Sequence, residues 1–564
     1  MRPPQQRLRE LGEQKIQQYW IVFHLLDSAV ELWQLKWTGD GFLYISNESD
    51  IVCYEALWTY LSKLDCDRKV HWITGWGSRR LLESARWLDA LRVGQIELPT
   101  TTDKSGAVKH TGRLSLSSKI CEVDLLAGKN KYKIVDLAQW HLNRTDYEGT
   151  DRDKYESPAI AALYDWLYTG QTFGWGTTQT TAPRQGWQWF MRGSYKYTMH
   201  TCIDASARAL ERRAYFGGRN ECFRLGPIPG VTFNVDIKSC YAYICSRDWL
   251  PILLDDVADR HYYDYSDDRS KSIQYAADVL IDTDEPDYPC RHGEDTIYPV
   301  GQFVTSLCWP ELQHALRRQR VKRVFRSHRY LCAPALSRFA RCLQQAKDTI
   351  ADGQHYVPAS TLKAVWNAGI GYTARYLYEW RDCPSPMGHD YYLGIGPHSE
   401  LPGKYTHYKI VDKRAAYLNK TGESEYAMPV LHAWISSAAR MLLLWFMETL
   451  DKQECWYCDT DGLLISERAY DFAVKHCMIG GSHLGALVRR SDPGPATIYG
   501  CKSYRLGDYV IASGALKKDR FKVPHVKNYV YSGGVTLDTG YTRPYNATIE
   551  TNPHAVYGIS NVIS

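Results

Sequence analysis

The spacing of apolar and polar positions changes several times along the chain, and each change predicts a different element. "YWIVFHLL", "VELWQLKW" and "GFLYIS" are short runs dense in β-branched and aromatic residues, which predict three consecutive strands. "ESARWLDAL" has the wider spacing of a helix, "YKIVDL" reads as a further strand, and "SPAIAALYDWLYTG" reads as a helix that stops at Gly170. Strands and helices alternating in this way predict an α/β domain over residues 1 to about 165. The stretch "TGQTFGWGTTQTTAPRQG" has no periodicity, is rich in Gly, Thr and Gln, and predicts a long loop or linker. "SARALERRAYFGGRN" then begins as a helix and stops at Gly217 and Gly218. No internal repeat is visible.

Further on, "TFNVDIKSCYAYICSRDWLP" alternates Phe233, Val235 and Ile237 with Asn234, Asp236 and Lys238, the pattern of a half-buried strand. Ser239 is placed to cap a helix beginning at Cys240, so Asp236 falls where a strand meets a helix. In "ECWYCDTDGLLISE" two apolar runs flank Asp459 and Asp461, and the Asp-Gly pair signals a tight hairpin turn. Residues two apart on a strand share a face. If the strand persists to the turn, the two carboxylates repel, and a divalent cation would relieve the repulsion. A surface turn has the same composition, and a strand-end Asp alone is often merely solvated. The conjunction separates the readings: a strand-end Asp and a hairpin carrying two more could build a two-metal site, where one ion activates an attacking oxygen and the other steadies a leaving oxygen. Magnesium suits such a site, since it prefers oxygen ligands and keeps several waters. Cationic groups lie between the acids. In "ASTLKAVWNAGIGYTARY" Lys363 and Asn367 share a helical face, and Gly369 and Gly371 admit close backbone approach. "FARCLQQAKDTI" places Arg341 and Lys347 on another helical segment. A lysine ammonium suits a triphosphate, although each lysine alone is more often a solvated surface group.

Composition narrows the class without choosing the function. With 564 residues and 44% hydrophobic content the chain is long enough for several domains with their own cores. The net charge of +5 is small for this length, so charge alone does not demand nucleic acid. The run "HALRRQRVKRVFRSHRY" fits a phosphate backbone, and equally fits a solvated helix face followed by a strand. Of 16 cysteines only Cys455 and Cys458 form a C-x-x-C, with no second pair at zinc spacing, which predicts reduced thiols in an intracellular protein. The N-terminus is polar and lacks a signal-peptide core. No window reads as long and apolar enough to span a membrane, and "ARMLLLWFMETL" reads as a buried helix. The expectation is a soluble, cytoplasmic chain (host-cell cytoplasm if viral) with no membrane partner.

The order of motifs resembles the family B DNA polymerases, and most closely their protein-primed branch of phages and linear plasmids. The family's first polymerase motif, D-x-x-S-L-Y-P, corresponds to "DIKSCYA" from Asp236; its second, K-x-x-x-N-S-x-Y-G, to "KAVWNAGIG" from Lys363; its third, Y-x-D-T-D-S, to "YCDTDG" from Tyr457. A K-x-Y motif appears as "KSY", and the Y-x-G-G motif upstream as "YFGG". Five motifs in the family order make a specific signal, where any one would be weak. The resemblance implies a DNA-directed DNA polymerase working by a two-metal mechanism. Asp236 and Asp461 would be the main metal ligands with the backbone carbonyl of Ile237, and Asp459 would support them. Tyr241 would stack under the incoming sugar and exclude a 2′-hydroxyl. Lys347 and Lys363 would hold the triphosphate and Asn367 would line the nucleotide pocket. Lys502 and Tyr504 would steady the primer terminus, while Tyr215, Gly217 and Gly218 would guide the template. The implied cofactors are two magnesium ions per site, with manganese as an alternative. The implied partners are DNA template and primer, deoxynucleoside triphosphates and a terminal priming protein, for a monomeric chain.

The implied fold is α/β and α+β multidomain, a right hand of palm, fingers and thumb behind an N-terminal RNase H-like exonuclease-type domain. Its layout would be an exonuclease-like domain at 1–170, a linker and template-guiding segment at 171–230, and palm with a first insertion, contacting the priming protein, at 231–340. Fingers would follow at 341–380, a second insertion serving strand displacement at 381–430, palm at 431–515 and thumb at 516–564. Departures are plain. Ala242 replaces the Pro of the first motif, Ala368 and Ile370 replace Ser and Tyr in the second, and Gly462 replaces Ser in the third. The exonuclease departs further. His24 and Leu26 stand where the first-strand carboxylates would fall, with Asp27 one residue on; "VHWITGWGSRR" carries neither the Asn nor the Asp of the second motif; and Ala159 replaces the Asp of the third. Without those carboxylates nothing holds the exonuclease metals, so the expectation is a polymerase lacking 3′-to-5′ proofreading. The alternatives are a non-catalytic nucleic-acid-binding relative and a primer-independent polymerase.

Overall fold

A computed structural model describes residues 18–135, 158–193, 205–259, 271–350, 357–384, 392–424, 427–512, 533–535 and 542–546, with short internal gaps, the longest at 77–89. The chain divides into two compact units, residues 1–193 with 345–424 and residues 194–344 with 425–564.

In the first unit the predicted strands form as β1 (Gln18–Leu25), β2 (Ala29–Trp37), β3 (Phe42–Tyr44) and β7 (Asn130–Val135), and three strands that were not predicted join them, β4 (His71–Trp76), β5 (Leu114–Ser117) and β6 (Ile120–Ala127). They hydrogen-bond in the order β3-β2-β1-β4-β7-β6-β5, with Asp50–Cys53 added against β2. β1 runs antiparallel to β2 but parallel to β4, which is parallel to β7. That central position explains the near-continuous apolar run of β1: Trp20, Ile21, Val22 and Phe23 are all buried. The core on one side gathers Ile21, Phe23, Leu32, Trp58, Leu125 and Ile134. The predicted helix "ESARWLDAL" lies outside the described residues apart from Ala90, as do Leu26, Asp27, Asp136 and most of 516–564.

Two helices follow, α1 (Pro158–Thr172) and α2 (Ala182–Gly193). α1 runs past Gly170 instead of stopping there. That glycine serves packing, since a Cβ on it would stand 1.8 Å from Nε1 of Trp175. The predicted long loop is correspondingly short and tied down: the Gln185 amide of α2 donates to the Trp175 carbonyl at 2.9 Å and accepts from the Gln179 backbone N–H at 2.8 Å. α2 packs on the helix Ala359–Tyr372 through facing glycines. A Cβ on Gly369 would lie 2.4 Å from the Gly186 carbonyl oxygen, and one on Gly186 would lie 2.0 Å from that of Val365. The expected close approach at Gly369 is thus made by another helix. Trp187 stacks on Tyr372 beside the crossing, ring centres 5.2 Å apart. A four-stranded antiparallel sheet, Tyr376–Cys383, Arg414–Glu423, Tyr405–Val411 and Tyr392–Pro397 in that order, completes the unit.

The second unit contains α3 (Ala205–Arg213), β8 (Asn220–Cys222), β9 (Thr232–Ile237), α4 (Cys240–Arg247), α5 (Trp309–Arg317), α6 (Pro429–Thr449), β10 (Cys455–Asp459), β11 (Gly462–Ser466) and β12 (Leu487–Arg489). Its five-stranded antiparallel sheet has the order β8-β10-β11-β9-β12. β9 was expected to be half-buried, yet all six of its residues are buried. It lies inside the sheet, and Phe233 stacks on Tyr470 of the helix Glu467–Lys475 at 3.9 Å. Ser239 precedes α4 as expected but makes no side-chain cap; its backbone is left-handed (φ 51°), which turns the chain from strand to helix. α6 also corrects an expectation. It is long and apolar enough by composition to cross a membrane, but 83% of its apolar window is buried inside the unit, as in a core helix.

A second sheet places Leu250–Asp259, Val321–Ala333, Ile273–Thr283 and Pro299–Cys308 side by side over a core of Ala277, Val279, Phe303, Leu307 and Leu312. The basic run 314–330 forms the end of α5 and the strand Val321–Ala333. Several of its charges are paired there: Arg320 with Asp284, Lys322 with Asp282 at 3.8 Å, and Arg329 with Asp255 at 2.6 Å. This is the charged helix face followed by a strand.

Two outcomes follow from this packing. Gly369→Ala should lower Tm through a destabilisation of about 1–3 kcal/mol, although Gly to Ala inside an open helix stabilises by roughly 0.5–1 kcal/mol. The sign read by thermal denaturation therefore reports the crossing directly. In α3, buried Glu211 accepts a hydrogen bond from the Tyr330 hydroxyl at 3.0 Å, and burial pushes its carboxyl up to about 7 from 4.5. Between these values the folded chain keeps a proton that the unfolded chain has lost, so Glu211 makes stability fall as pH rises from about 4.5 to 7. Glu211→Gln should remove that part of the slope and be more stable than the parent at pH 8, by on the order of 3 kcal/mol, in parallel urea titrations.

Candidate active site

The antiparallel register builds the site. Asn220 pairs with Asp459, Asp459 with Gly462, Gly462 with Asp236, and Asp236 with Val488. These five residues form one row across the sheet, and directly paired residues in antiparallel strands share a face. Asp459 and Asp236 therefore flank Gly462, which has no side chain to fill the space between them. A Cβ on Gly462 would meet Asp236 Oδ1 at 3.7 Å, so that oxygen faces the gap.

The hairpin differs from the expected Asp-Gly turn. Gly462 already belongs to β11, and the positive φ falls on Thr460 (60°). The Asp461 N–H reaches back to the Asp459 carbonyl at 2.6 Å, closing a three-residue turn around Thr460. Asp461 thus sits in the turn and does not share a strand face with Asp459; the carboxylates in one row are Asp459 and Asp236. A β-branched residue with positive φ is strained, and three contacts hold it. Thr460 N–H donates to the Arg219 carbonyl at 2.6 Å, its hydroxyl donates to Asp459 at 3.2 Å, and its side chain packs on Gly218. The Asp461 carbonyl accepts from Ile237 N–H at 2.7 Å, joining the turn to the end of β9.

Buried ion pairs fix the chain around Gly218. Arg219 bonds Glu221 at 2.5 Å and the Pro286 carbonyl at 2.8 Å, under the Tyr298 ring. Arg440, a single cation in the apolar α6, grips Glu311 of α5 with both arms at 2.7 and 2.8 Å and donates to the Gly217 carbonyl. A lone Arg in an apolar helix was a legible signal for such a pair. Tyr215 and Tyr241 both pack edge-on against His432 of α6, at 4.9 and 6.1 Å. Burial pushes the Tyr241 hydroxyl well above its ordinary pKa, so it stays protonated.

The K-x-Y residues also converge here. Lys502 Nζ lies 3.6 Å from Asp459 Oδ1, and its backbone N–H donates to the Tyr457 hydroxyl at 3.0 Å. Asn234 reaches the Tyr504 hydroxyl at 3.5 Å. Asp236, Ile237, Tyr241, Asp459, Asp461, Lys502, Tyr504, Tyr215, Gly217 and Gly218 thus all belong to the second unit. Lys347, on the helix Ser337–Ile350, and Lys363 and Asn367, on Ala359–Tyr372, belong to the first.

Sequence reasoning missed Arg490, whose Nη2 lies 2.7 Å from Asp236 Oδ2. Burial pulls the guanidinium pKa down, but Asp236, and behind it Asp461, hold it above its ordinary value. Among the described residues no group of three or more His, Cys, Asp or Glu side chains could hold a metal ion. The donor set here is one carboxylate oxygen facing a gap, a second carboxylate in the adjoining turn and nearby carbonyls. That set fits magnesium, which binds through one or two carboxylates together with waters and substrate phosphates.

No protein-family model matches the chain, and no curated protein matches it in sequence. Solved structures do. Phi29 DNA polymerase with primer-template DNA and incoming nucleotide substrates aligns at TM-score 0.57 and 14% identity, over 93% of this chain and 96% of that one. Its binary complex with primer-template DNA aligns at 0.56 and 13%, over 94% and 99%, and its complex with single-stranded DNA at 0.55 and 14%, over 90% and 94%. The fold is that of phi29 DNA polymerase. It is a mixed α/β multidomain fold, shared across nearly the whole length of both chains.

The Gly218–Thr460 contact generates a test. A Cβ on Gly218 would stand 2.5 Å from Thr460 Oγ1. Gly218→Ala should destabilise by about 1–3 kcal/mol. Combined with Thr460→Gly, which removes both the clash and the strain, it should recover most of the loss, with a coupling of at least about 0.5 kcal/mol in a double-mutant cycle by urea unfolding.

Proposed function

We propose that the chain is a DNA-directed DNA polymerase, protein-primed and without 3′-to-5′ proofreading. The observation that carries this reading is the row Asp459–Gly462–Asp236 with Asp461 in the adjoining turn, on a fold shared with phi29 DNA polymerase. In this reading the five-stranded sheet is the palm of a right hand whose fingers and thumb follow the layout expected from the motifs.

Asp236 and Asp461, with the Ile237 carbonyl, would hold two divalent ions, and Asp459 would support them beside Lys502. Bound there, magnesium or manganese supplies the positive charge that activates the primer hydroxyl and steadies the leaving oxygen. Tyr241, kept neutral and fixed against His432, presents an apolar ring to the sugar. Lys502 and Tyr504 would steady the primer terminus, and Tyr215 with Gly217 and Gly218 the template. Triphosphate contacts by Lys347, Lys363 and Asn367 belong to the same reading, as does a terminal protein that supplies the first hydroxyl.

The proposed loss of proofreading rests on residue types. His24 stands on β1 opposite Glu31 of β2, and Ala159 lies on α1, where the resemblance expects carboxylates. A neutral imidazole does not supply the charge that two divalent ions require.

Primer extension on a labelled primer–template tests the reading. The chain should extend the primer with magnesium and deoxynucleotides, stop on chelation, and leave the 3′ end of a single strand unshortened. Asp461→Asn should lower extension at least about 100-fold, since loss of several kcal/mol of charge stabilisation costs a factor of ten per 1.4 kcal/mol. Primer–template affinity should be unchanged in a gel shift. Undiminished extension by the purified variant would remove Asp461 from the mechanism.

A further inference from the structure

We infer that Arg490 is a resident cation that competes with divalent metal for Asp236, holding the metal affinity of the unliganded site low. The inference rests on the proposed metal-binding role of Asp236 and Asp461. Arg490 immediately follows β12, and its backbone N–H donates to the Asn234 carbonyl at 2.9 Å, so the residue is anchored to the same strand as the acid it pairs with. Its guanidinium takes Oδ2 of Asp236 at 2.7 Å, while Oδ1 faces the gap at Gly462. The partners differ in environment: the Asp236 side chain is 8% exposed and that of Arg490 46%. Asp236 is therefore held in place by the sheet, whereas the guanidinium reaches it from the solvent side and has room to leave.

Two effects act in one direction. The pair Asp236 and Asp461 carries two negative charges, and one guanidinium halves the net charge that attracts an ion. While it stays on Asp236, the positive guanidinium also repels a dication a few ångströms away. Arg490 further occupies one of the two oxygens through which Asp236 could bind. An ion arriving with a polyphosphate brings its own negative charge and is disfavoured far less. The site would thus load its metal with the nucleotide and stay largely free of metal without it.

The test measures metal binding directly, with the full chain, no DNA and no nucleotide. Manganese is titrated into the protein, and the free ion is read by electron paramagnetic resonance. Arg490→Gln should bind manganese at least about tenfold more tightly than the parent, as expected for removing a like charge next to a partly buried site. Arg490→Lys, which keeps the charge, should stay near the parent. Adding Asp236→Asn to Arg490→Gln should abolish the gain. A guanidinium that only props up the carboxylate would give the opposite sign, because loss of a group orienting a ligand weakens metal binding, commonly 10–100-fold. Equal or weaker binding by Arg490→Gln would therefore overturn the inference. Tighter binding that survives Asp236→Asn would instead overturn the metal-binding role of Asp236, and this inference with it.

Discussion

The pairing of Thr232–Ile237 with Gly462–Ser466, and of that strand with Cys455–Asp459, fixes Asp236, Gly462 and Asp459 in one row, and the remaining site contacts depend on that register. A slip of one residue would send Asp236 to the opposite face, because side chains alternate along a strand. Two features guard against it. β9 is buried along its whole length, so a slip would also move Phe233 and Val235 out of their packing. The turn is bonded to the end of the same strand through Asp461 and Ile237. The acids are thus set by the hydrogen-bond ladder itself, with little dependence on flexible side chains.

The turn carries strain, and the surroundings restrain it. Thr460 stays left-handed because the Arg219 carbonyl receives its N–H and Gly218 leaves room for its side chain. Those two residues are held in turn by buried charge. Arg219 with Glu221, and Arg440 with Glu311, are almost fully shielded from solvent. Such pairs add little net stability compared with apolar packing, but leaving one partner alone in the interior costs about 3–5 kcal/mol. Their main contribution is geometric: Arg440 ties α6 to α5 and to the Gly217 carbonyl, and Arg219 ties the same stretch to Glu221 and the Pro286 carbonyl. The Y-F-G-G stretch and the D-T-D-G turn are one mechanical assembly, although they lie far apart in sequence.

The first unit solves a different problem with similar means. Its mixed sheet buries β1 on both faces, and its helices α2 and Ala359–Tyr372 meet at Gly186 and Gly369 with almost no space between backbones. Trp187 stacks on Tyr372 beside that crossing and supplies apolar area that the glycines themselves cannot.

What could be read from the chain alone was whatever local chemistry encodes. Alternating and continuous apolar runs predicted β1, β2, β3, β7 and β9 within a residue or two. Asp236, Asp459 and Asp461 stood out through their conjunction, a strand-end acid together with a hairpin carrying two more, and the order of five short motifs pointed to a polymerase fold. Other features were not legible, because each is set by a partner far along the chain. That Thr460 and not Gly462 takes the positive φ depends on a carbonyl at Arg219. That α1 continues past Gly170 depends on where Trp175 folds back. That β9 is buried on both sides depends on what covers it. Arg490 gave no sequence signal at all, since its meaning comes from an acid 254 positions away. Periodicity and turn chemistry act over a few residues and are written locally. Which charge meets which, and which strand lies inside a sheet, follow from chain segments that are neighbours only after folding.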